Sequence, residues 1–253
     1  MGKLLRLDKY LSDMNMGTRS EIKSWIRRGR VSINSLPCLR PEEKVRTDED
    51  EISLDGQRIY YEKYLYFMLN KPAGVVSATE DKRDKTVLDL IETDRRKDLF
   101  PVGRLDKDTE GLLIITNDGD LAHRLLSPKK EVDKVYYARI NGRVTDDDTS
   151  AFLRGISIGE EKPCLPARLE IIKSDDISEI NLTIYEGRYH QVKRMFEALG
   201  KEVIFLKRIS MGGLALDPLL KTGDYRRLTI DERKHLNRIT LREKESYGHI
   251  KGY

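Results

Sequence analysis

The chain has few of the residues that build disulfide scaffolds and metal centres. Its 253 residues include two cysteines and four histidines. Cys38 and Cys164 lie far apart, and neither has a neighbouring histidine or cysteine at a ligand-type spacing. We therefore expect no disulfide framework, no metal site and no other cofactor.

Long apolar runs are also missing. No run approaches the roughly 18 residues that a membrane span needs, and the first residues lack the apolar core of a signal peptide. Hydrophobic residues make up 38% of the chain and charged residues 36%, a composition typical of heavily charged globular proteins. We expect a cytoplasmic monomer of one or two domains, with no membrane partner.

Positive charge is concentrated at the start of the chain. Residues 1–30 carry eight Lys and Arg against three Asp and Glu, whereas residues 31–56 carry three against seven. Such a division within a small region favours a one-sided basic surface. A polyanion is the natural partner of such a surface.

The first 59 residues predict a small α/β module. Apolar residues at helical spacing predict a helix over about residues 6–14. Thr18 and Glu21, three positions apart, form a capping box that begins a second helix, which Gly29 ends. Two short strands with turns follow, over residues 31–34 and 51–56.

Basic residues recur along one side of the second predicted helix. A charged stripe on a helix is usually its solvated face, and that interpretation remains open here. The stripe is cationic throughout, without the alternating signs of an ordinary solvated face. We therefore predict RNA-backbone contacts by Arg19, Lys23, Arg27 and Arg30.

An acidic, glycine-bounded loop precedes an apolar run in the middle of the chain. The loop reads Gly103-Arg104-Leu105-Asp106-Lys107-Asp108-Thr109-Glu110-Gly111, and residues 112–116 predict a buried strand. Two interpretations remain. The loop holds one reactive carboxylate, or its Asp and Thr side chains cap local backbone groups.

Strands outnumber helices in the rest of the chain. Strand-like runs occur at residues 64–69, 112–116, 135–140, 168–172, 179–185, 202–206 and 225–228, and helix-like runs at 121–126, 146–153 and 190–199. This pattern predicts an α+β fold with a mixed, mainly antiparallel sheet and flanking helices. The predicted organisation is a module at 1–59, a hinge at 60–63, a second domain at 64–239 and a polar tail at 240–253.

The loop around Asp106 resembles the signature loop of RNA pseudouridine synthases, in the branch that modifies ribosomal RNA. The resemblance implies that Asp106 is the catalytic nucleophile and that the second domain has the pseudouridine synthase fold. Residues 3–58 similarly resemble the alpha-L RNA-binding motif. The reaction implied is an isomerisation, which gains and loses nothing and needs no cofactor.

Three further segments extend the resemblance. The segment from Leu206 to Gly212 resembles the family's late motif, which implies that Leu206 and Ile209 form a wall of the base pocket. Lys134-Val135-Tyr136-Tyr137-Ala138 resembles the family's Lys-x-Tyr segment, which implies that Tyr136 lies beside the target base. Because strand alternation puts Tyr136 and Tyr137 on opposite faces, only one of them can face the cleft; a place in the core is the ordinary alternative. In the segment from Glu186 to Phe196, the resemblance implies that Lys193 pairs with the nucleophile.

The same resemblance implies contacts to the substrate RNA beyond the catalytic residues Asp106, Tyr136 and Lys193. Arg104, two positions before Asp106, is expected to hold a phosphate or fill the vacated stack. His190 is expected to be structural or to contact RNA, without a catalytic role. The complete set of predicted contacts in this domain is Arg104, Arg188, His190, Arg194, Leu206 and Arg208.

The segment Arg188-Tyr189-His190-Gln191-Val192-Lys193-Arg194-Met195 is similar to the RsuA-type subgroup, which acts on 16S ribosomal RNA. We therefore expect 16S rRNA, or a small-subunit assembly intermediate, as the partner. Three alternatives remain: a large-subunit (23S) target, a non-catalytic ribosome-assembly factor, and a hydrolase that uses Asp106 and Asp108 as paired carboxylates. The point of attack by Asp106, at C1′ or at C6, or a proton abstraction instead, stays open.

Overall fold

The computed structural model describes residues 2–93 and 98–241. The chain forms two compact units, Met1–Tyr64 and Leu65–Tyr253. The predicted hinge, residues 60–63, lies within the first unit. There the Tyr61 hydroxyl donates a 2.8 Å hydrogen bond to Asp13, and its ring centroid lies 5.1 Å from that of Tyr10.

The first unit is a small α/β module built on short strands. Its helices are α1 (Leu7–Asp13) and α2 (Arg19–Arg27), and its strands are β1 (Leu4–Arg6), β2 (Val31–Ile33), β3 (Leu36–Pro37), β4 (Lys44–Arg46), β5 (Ile52–Leu54) and β6 (Gln57–Ile59). The sheet order is β3-β2-β5-β6, and β1 pairs with β4. Both predicted helices and both predicted strands are confirmed.

The predicted capping box begins α2. The Glu21 backbone N–H donates to Thr18 Oγ1 at 3.3 Å, and the Thr18 N–H donates to Glu21 Oε2 at 2.8 Å, so two otherwise unpaired donors are satisfied. Ile22 and Ile26, one turn apart, are fully buried. The neighbouring side of the helix is thereby left to its basic residues.

The second unit contains nine strands and four α-helices in its described part. The strands are β7 (Tyr66–Lys71), β8 (Phe100–Pro101), β9 (Glu110–Thr116), β10 (Lys134–Asn141), β11 (Arg168–Lys173), β12 (Ile177–Ile184), β13 (Glu202–Met211), β14 (Leu214–Ala215) and β15 (Tyr225–Arg227). The helices are α3 (Gly119–Leu126), α4 (Asp146–Arg154), α5 (Gln191–Glu197) and α6 (Ile230–Leu241), with 3₁₀ turns at Val87–Leu90 and Pro128–Lys130.

These strands form one mixed sheet in the order β11-β12-β10-β13-β9-β7-β15, with β14 beside β13 and β8 beside β9. The pair β9–β13 is parallel, and the other strand pairs are antiparallel. The predicted α+β class, with a mainly antiparallel sheet, is confirmed.

Helices cover both faces of this sheet, because the central strands direct apolar side chains alternately to one face and the other. In β9, Leu113 and Ile115 join one core with α4 and α5, whereas Leu112 and Ile114 join a second core with α3 and α6. Since both faces are covered, β9 reads as a continuous apolar run. This rigid strand follows directly from the loop that carries Asp106.

The prediction of a loose tail from residue 240 is wrong at its first two positions. Thr240 and Leu241 belong to α6, and the Thr240 side chain is fully buried. The sequence did not reveal this helix because Leu236 is its only fully buried apolar residue, too few to produce a stripe. The remainder of the predicted tail, 242–253, lies outside the described residues. Among the helices that the structure describes, none combines the length and apolar composition needed to cross a bilayer.

Candidate active site

A buried lysine at the end of β7 holds the loop that carries Asp106. Lys71 has no exposed surface, and its ammonium group donates hydrogen bonds to backbone carbonyls on both sides of the site. The acceptors are the carbonyl oxygens of Pro72, Asp106, Lys107 and Thr109, at 3.0, 3.1, 3.3 and 2.9 Å. The backbone of the loop is therefore fastened around a single cation.

Burial lowers the pKa of Lys71 to about 8, against the opposing effect of the nearby carboxylates of Asp108, Asp106 and Glu110. A fully buried lysine is rare unless it is paired or hydrogen-bonded. Four carbonyl dipoles and the neighbouring carboxylates supply that compensation here.

A second clamp fixes the residue before Asp106. Ser77 Oγ donates to the Leu105 carbonyl at 2.8 Å and accepts from the Leu105 N–H at 3.0 Å. The Leu105 side chain is 5% exposed and packs in the core. Because both ends of the Leu105 peptide are held, Asp106 projects from a rigid backbone.

The Asp106 carboxylate faces a cavity of about 390 Å³. Two basic side chains of the α5 region approach it: His190 Nε2 lies 3.6 Å from Oδ1, and Lys193 Nζ lies 3.6 Å from Oδ2. The cavity is lined by Ala73, Gly74, Asp106, Lys107, Asp108, His190 and Lys193. One carboxylate thus lies between a lysine and an imidazole at the wall of an open pocket.

Lys193 makes its shortest contacts with a different carboxylate. Its ammonium group donates to Asp108 Oδ1 at 2.6 Å and to Oδ2 at 2.8 Å. Partial burial raises the pKa of Asp108, but the Lys193 hydrogen bond and charge outweigh this effect and hold the pKa below its usual value. Lys193 also pairs with Asp106, as the sequence predicts, but at 3.6 Å Asp106 is the more distant of its two partners.

A fastened loop, a carboxylate at a pocket wall and two adjacent bases form the core of this site. A protein-family model described as "RNA pseudouridylate synthase" matches residues 65–198, the stretch that contains all of these groups. The chain belongs to the RNA pseudouridylate synthase family. An S4 domain model matches residues 5–52, so this synthase joins an S4 module to its catalytic unit.

Two curated relatives and one solved structure show how far the similarity extends. Ribosomal small subunit pseudouridine synthase A of Vibrio cholerae is 41% identical over 90% of this chain and 97% of its own length. Ribosomal large subunit pseudouridine synthase B of Bacillus subtilis is 38% identical over 96% and 99%. A crystal structure of a pseudouridylate synthase matches with a TM-score of 0.65 and 40% identity, over 92% of this chain and 99% of that one. The resemblance of this chain to RNA pseudouridine synthases and the fold that it implies are confirmed.

The two tyrosines of β10 lie on opposite faces of the sheet, as alternation predicts. Tyr136 is 7% exposed and packs in the core with Leu105 and Leu206. Tyr137 is half-buried and donates a 2.7 Å hydrogen bond to Glu179. Tyr136 is not among the residues that line the cavity beside Asp106, so its contact with the base stays a prediction.

Two arginines predicted to contact RNA instead make contacts within the protein. Arg188 and Arg194 both bind Glu160, at 3.3 and 2.6 Å. Their other guanidinium contacts are to the Glu186 carboxylate and to the carbonyls of Ile158, Lys162, Pro163 and Tyr189. They fasten the loop of residues 158–163 to the start of α5, a tertiary contact that their sequence neighbours do not reveal.

Arg208 is also placed differently from the prediction. It is 2% exposed, and its Nε donates to the Leu112 carbonyl at 2.8 Å. Its position on β13, directly beside Gly111 of β9, puts it inside the sheet. The predicted RNA contact by Arg208 is therefore corrected to a structural role. Arg104, in contrast, is exposed on the loop before Asp106.

The basic stripe of the S4 module is shorter than predicted. Arg19, Lys23 and Arg27 are exposed on α2. Arg30 lies beyond the end of the helix, where its guanidinium pairs with Asp55 and lies 5.2 Å from the centroid of the Trp25 ring. The charge of Arg30 is therefore already paired. Of the four cations predicted to contact RNA, the three on α2 remain exposed.

Two features of the site were not expected from the sequence: the buried Lys71 and the pairing of Asp108 with Lys193. The signal for Lys71 was a lysine two positions after the end of an apolar run and directly before a proline, where a strand ends and a turn begins. Asp108 sits two positions after the nucleophile candidate, and nothing local indicates which carboxylate Lys193 contacts. Within residues 2–93 and 98–241, no three His, Cys, Asp or Glu side chains are grouped so that they could hold a metal ion.

Proposed function

We propose that this synthase converts one uridine of small-subunit (16S) ribosomal RNA to pseudouridine, with Asp106 as the nucleophile. The observation that carries the proposal is the Asp106 carboxylate at the cavity wall, with Lys193 and His190 each 3.6 Å from one of its oxygens. The family supplies the reaction type, and this carboxylate is the side chain best placed to perform it.

The reaction breaks the N1–C1′ bond of uridine and joins C1′ to C5, after which the hydrogen at C5 is released to solvent. One ionised carboxylate is sufficient as the nucleophile for such a transfer. Lys193 supplies a positive charge beside it, and Lys71 fixes the backbone from which it projects. A base held in the duplex cannot reach the cavity, so the target uridine must be flipped, at a cost of a few kcal/mol.

The S4 module supplies affinity for the RNA backbone. Arg19, Lys23 and Arg27 present three exposed cations on one helix. Contacts of this kind neutralise phosphates and release counterions, so they position the substrate without reading its sequence. Selection of one uridine is then left to the catalytic unit.

The choice of 16S RNA rests on the segment from Arg188 to Met195 and on the relative in Vibrio cholerae, whose name specifies the small subunit. The Bacillus subtilis relative named for the large subunit supports 23S RNA as the alternative, with similar coverage. The two targets are separated by experiment.

The test uses 16S and 23S transcripts of the source organism, labelled with tritium at C5 of uridine and supplied separately. We expect tritium release from 16S RNA with the wild-type enzyme and none with Asp106→Asn, while both proteins bind the RNA equally. Release from 23S RNA alone would transfer the assignment to the large subunit. Equal release by wild type and variant would remove Asp106 from the reaction, and a gain of one water in product mass would indicate a hydrolase.

A further inference from the structure

We propose that the ring of Tyr189 stacks on the base of a nucleotide adjacent to the target uridine. The proposal deepens the proposed function and rests on it, because it assigns a binding surface for the strand that carries the flipped uridine. Its ligand is an unpaired base of single-stranded RNA.

Tyr189 presents its ring to solvent. The residue is 75% exposed, and its ring lies parallel to the imidazole of His190, with 3.9 Å between centroids and 15° between planes. One face of the ring is thus covered by His190. The opposite face remains open to a further planar group.

The backbone beneath this ring is held on both sides. The Arg188 N–H donates to Gln191 Oε1 at 2.9 Å, and the Tyr189 carbonyl accepts from Arg194 Nη1 at 3.2 Å. His190 has a left-handed backbone, with φ of 49°, and its carbonyl accepts from the Arg194 N–H at 3.0 Å. A platform fixed in this way loses little conformational freedom when a ligand binds.

The platform lies directly beside the reacting group. The same imidazole that supports Tyr189 has its Nε2 3.6 Å from Asp106 Oδ1. Apart from this imidazole, the residues lining the cavity include no aromatic ring, and Tyr136 is buried in the core. Tyr189 is therefore the open aromatic surface closest to the carboxylate among these groups.

An RNA base is the ligand that this arrangement suits. Flipping one uridine unstacks its neighbours, and each then exposes a π-face that an aromatic side chain can cover. Stacking on one aromatic ring strengthens binding about 5- to 150-fold by the usual effect of alanine substitution.

The test is a double-mutant cycle between the ring and the neighbouring bases. The RNA is a 16S fragment centred on the uridine identified by pseudouridine mapping, prepared intact or with an abasic nucleotide immediately before or after that uridine. Binding is measured by fluorescence anisotropy with Tyr189→Phe and Tyr189→Leu, each in an Asp106→Asn background that prevents turnover. Tyr189→Leu retains apolar surface but has no π-face, and Tyr189→Phe retains the ring.

We expect Tyr189→Phe to bind intact RNA like its parent and Tyr189→Leu to bind it about tenfold more weakly. One of the two abasic RNAs should bind the Asp106→Asn protein more weakly by a similar factor. The added change Tyr189→Leu should weaken binding of that abasic RNA little further. A role in folding alone would give losses that multiply, and either this result or unchanged binding by Tyr189→Leu would overturn the proposal. Tritium release by the enzyme with intact Asp106 is measured in parallel, so failure of the proposed function is seen independently.

Discussion

Lys193 donates hydrogen bonds to both carboxylate oxygens of Asp108, at 2.6 and 2.8 Å. The contact brings the ammonium group to within 3.6 Å of Asp106, so one lysine serves two carboxylates with unequal contacts. The two acids are distinguished by exposure: the Asp108 side chain is 72% exposed and that of Asp106 28%. Removing the charge of Asp106 should therefore have a different effect from removing that of Asp108.

Asp106→Asn is expected to reduce tritium release by at least about 10³-fold, because an amide is not a nucleophile of this kind. Asp108→Asn should cost less than about tenfold, since an exposed ion pair contributes about 1 kcal/mol or less. Single-turnover release with both variants makes the comparison. A loss of similar size for Asp108→Asn would give Asp108 a direct part in the reaction.

The titration of Asp108 should depend on Lys193. In the wild type the Lys193 contact holds the pKa of Asp108 below its usual value, so the pair stabilises the fold above that value and ceases to do so as pH falls through the lowered pKa. Lys193→Met is expected to raise the pKa. The measurement is a pH titration of the Asp108 side-chain carbon by NMR, with Lys82→Met, a change of an exposed lysine, as control. An unmoved midpoint in Lys193→Met would contradict the assigned cause.

Lys71→Met should destabilise the protein by about 2–4 kcal/mol, because the loop carbonyls lose a buried donor. Burial lowers the pKa of Lys71 to about 8 from an ordinary 10.5. Between these values the unfolded chain binds more protons than the native one, so the stability of wild type relative to Lys71→Met rises with pH.

Urea unfolding of both proteins at pH 7.5 and pH 9.5 measures this relative stability. Comparing the two proteins cancels the titration of tyrosines and cysteines. Lys82→Met again serves as the control and should follow the wild type. A difference that shrinks at the higher pH would have the wrong sign for a lysine with a lowered pKa.

Gly111→Ala should lower the free energy of unfolding by more than about 3 kcal/mol. A Cβ atom at Gly111 would lie 2.3 Å from the Arg208 carbonyl oxygen and 2.8 Å from its nitrogen, at a φ of +100°. Gly223→Ala is the matched control: its φ is +95° and no atom lies within 4 Å, so only backbone strain of about 1 kcal/mol applies. Equal losses in urea unfolding would mean that strain, and not the close approach of β13, fixes the glycine.

Lys23→Ala with Arg27→Ala should weaken RNA binding and make it less sensitive to salt. Each lost phosphate contact lowers the slope of log K against log salt by roughly 0.7–0.9. Arg30→Ala, whose parent residue is paired with Asp55, should lower it less. Binding of 16S RNA measured between 50 and 200 mM salt, roughly the range in which such contacts show, gives the slopes. A slope unchanged in the double variant would mean that the stripe is an ordinary solvated face.

The features that the sequence predicted depend on neighbours in the chain. Thr18 and Glu21 cap α2 because they are three positions apart, and residues 112–116 form a buried strand because their apolar run ends at a turn. The signature around Asp106 is likewise contiguous, so the candidate nucleophile could be located without coordinates.

The features that the sequence did not predict depend on residues far apart in the chain. Glu160 takes both Arg188 and Arg194, which removes two cations from the predicted RNA surface. The preference of Lys193 for Asp108 is a difference of about 1 Å between two carboxylates, and no residue pattern encodes it. The carbonyls of the loop surround Lys71 because β7 and β9, which are distant in the chain, are paired in the sheet.

The parallel pairing of β9 with β13 has a consequence for how the enzyme comes into being. Asp106 precedes β9 and Lys193 precedes β13, and these strands meet at residues about 100 positions apart in the chain. A nascent polypeptide that has emerged only as far as α5 already contains both side chains but lacks the strand that aligns them. Contacts this distant also form slowly. Competence to act on RNA is therefore expected late in the synthesis of the protein, once β13 has joined the sheet.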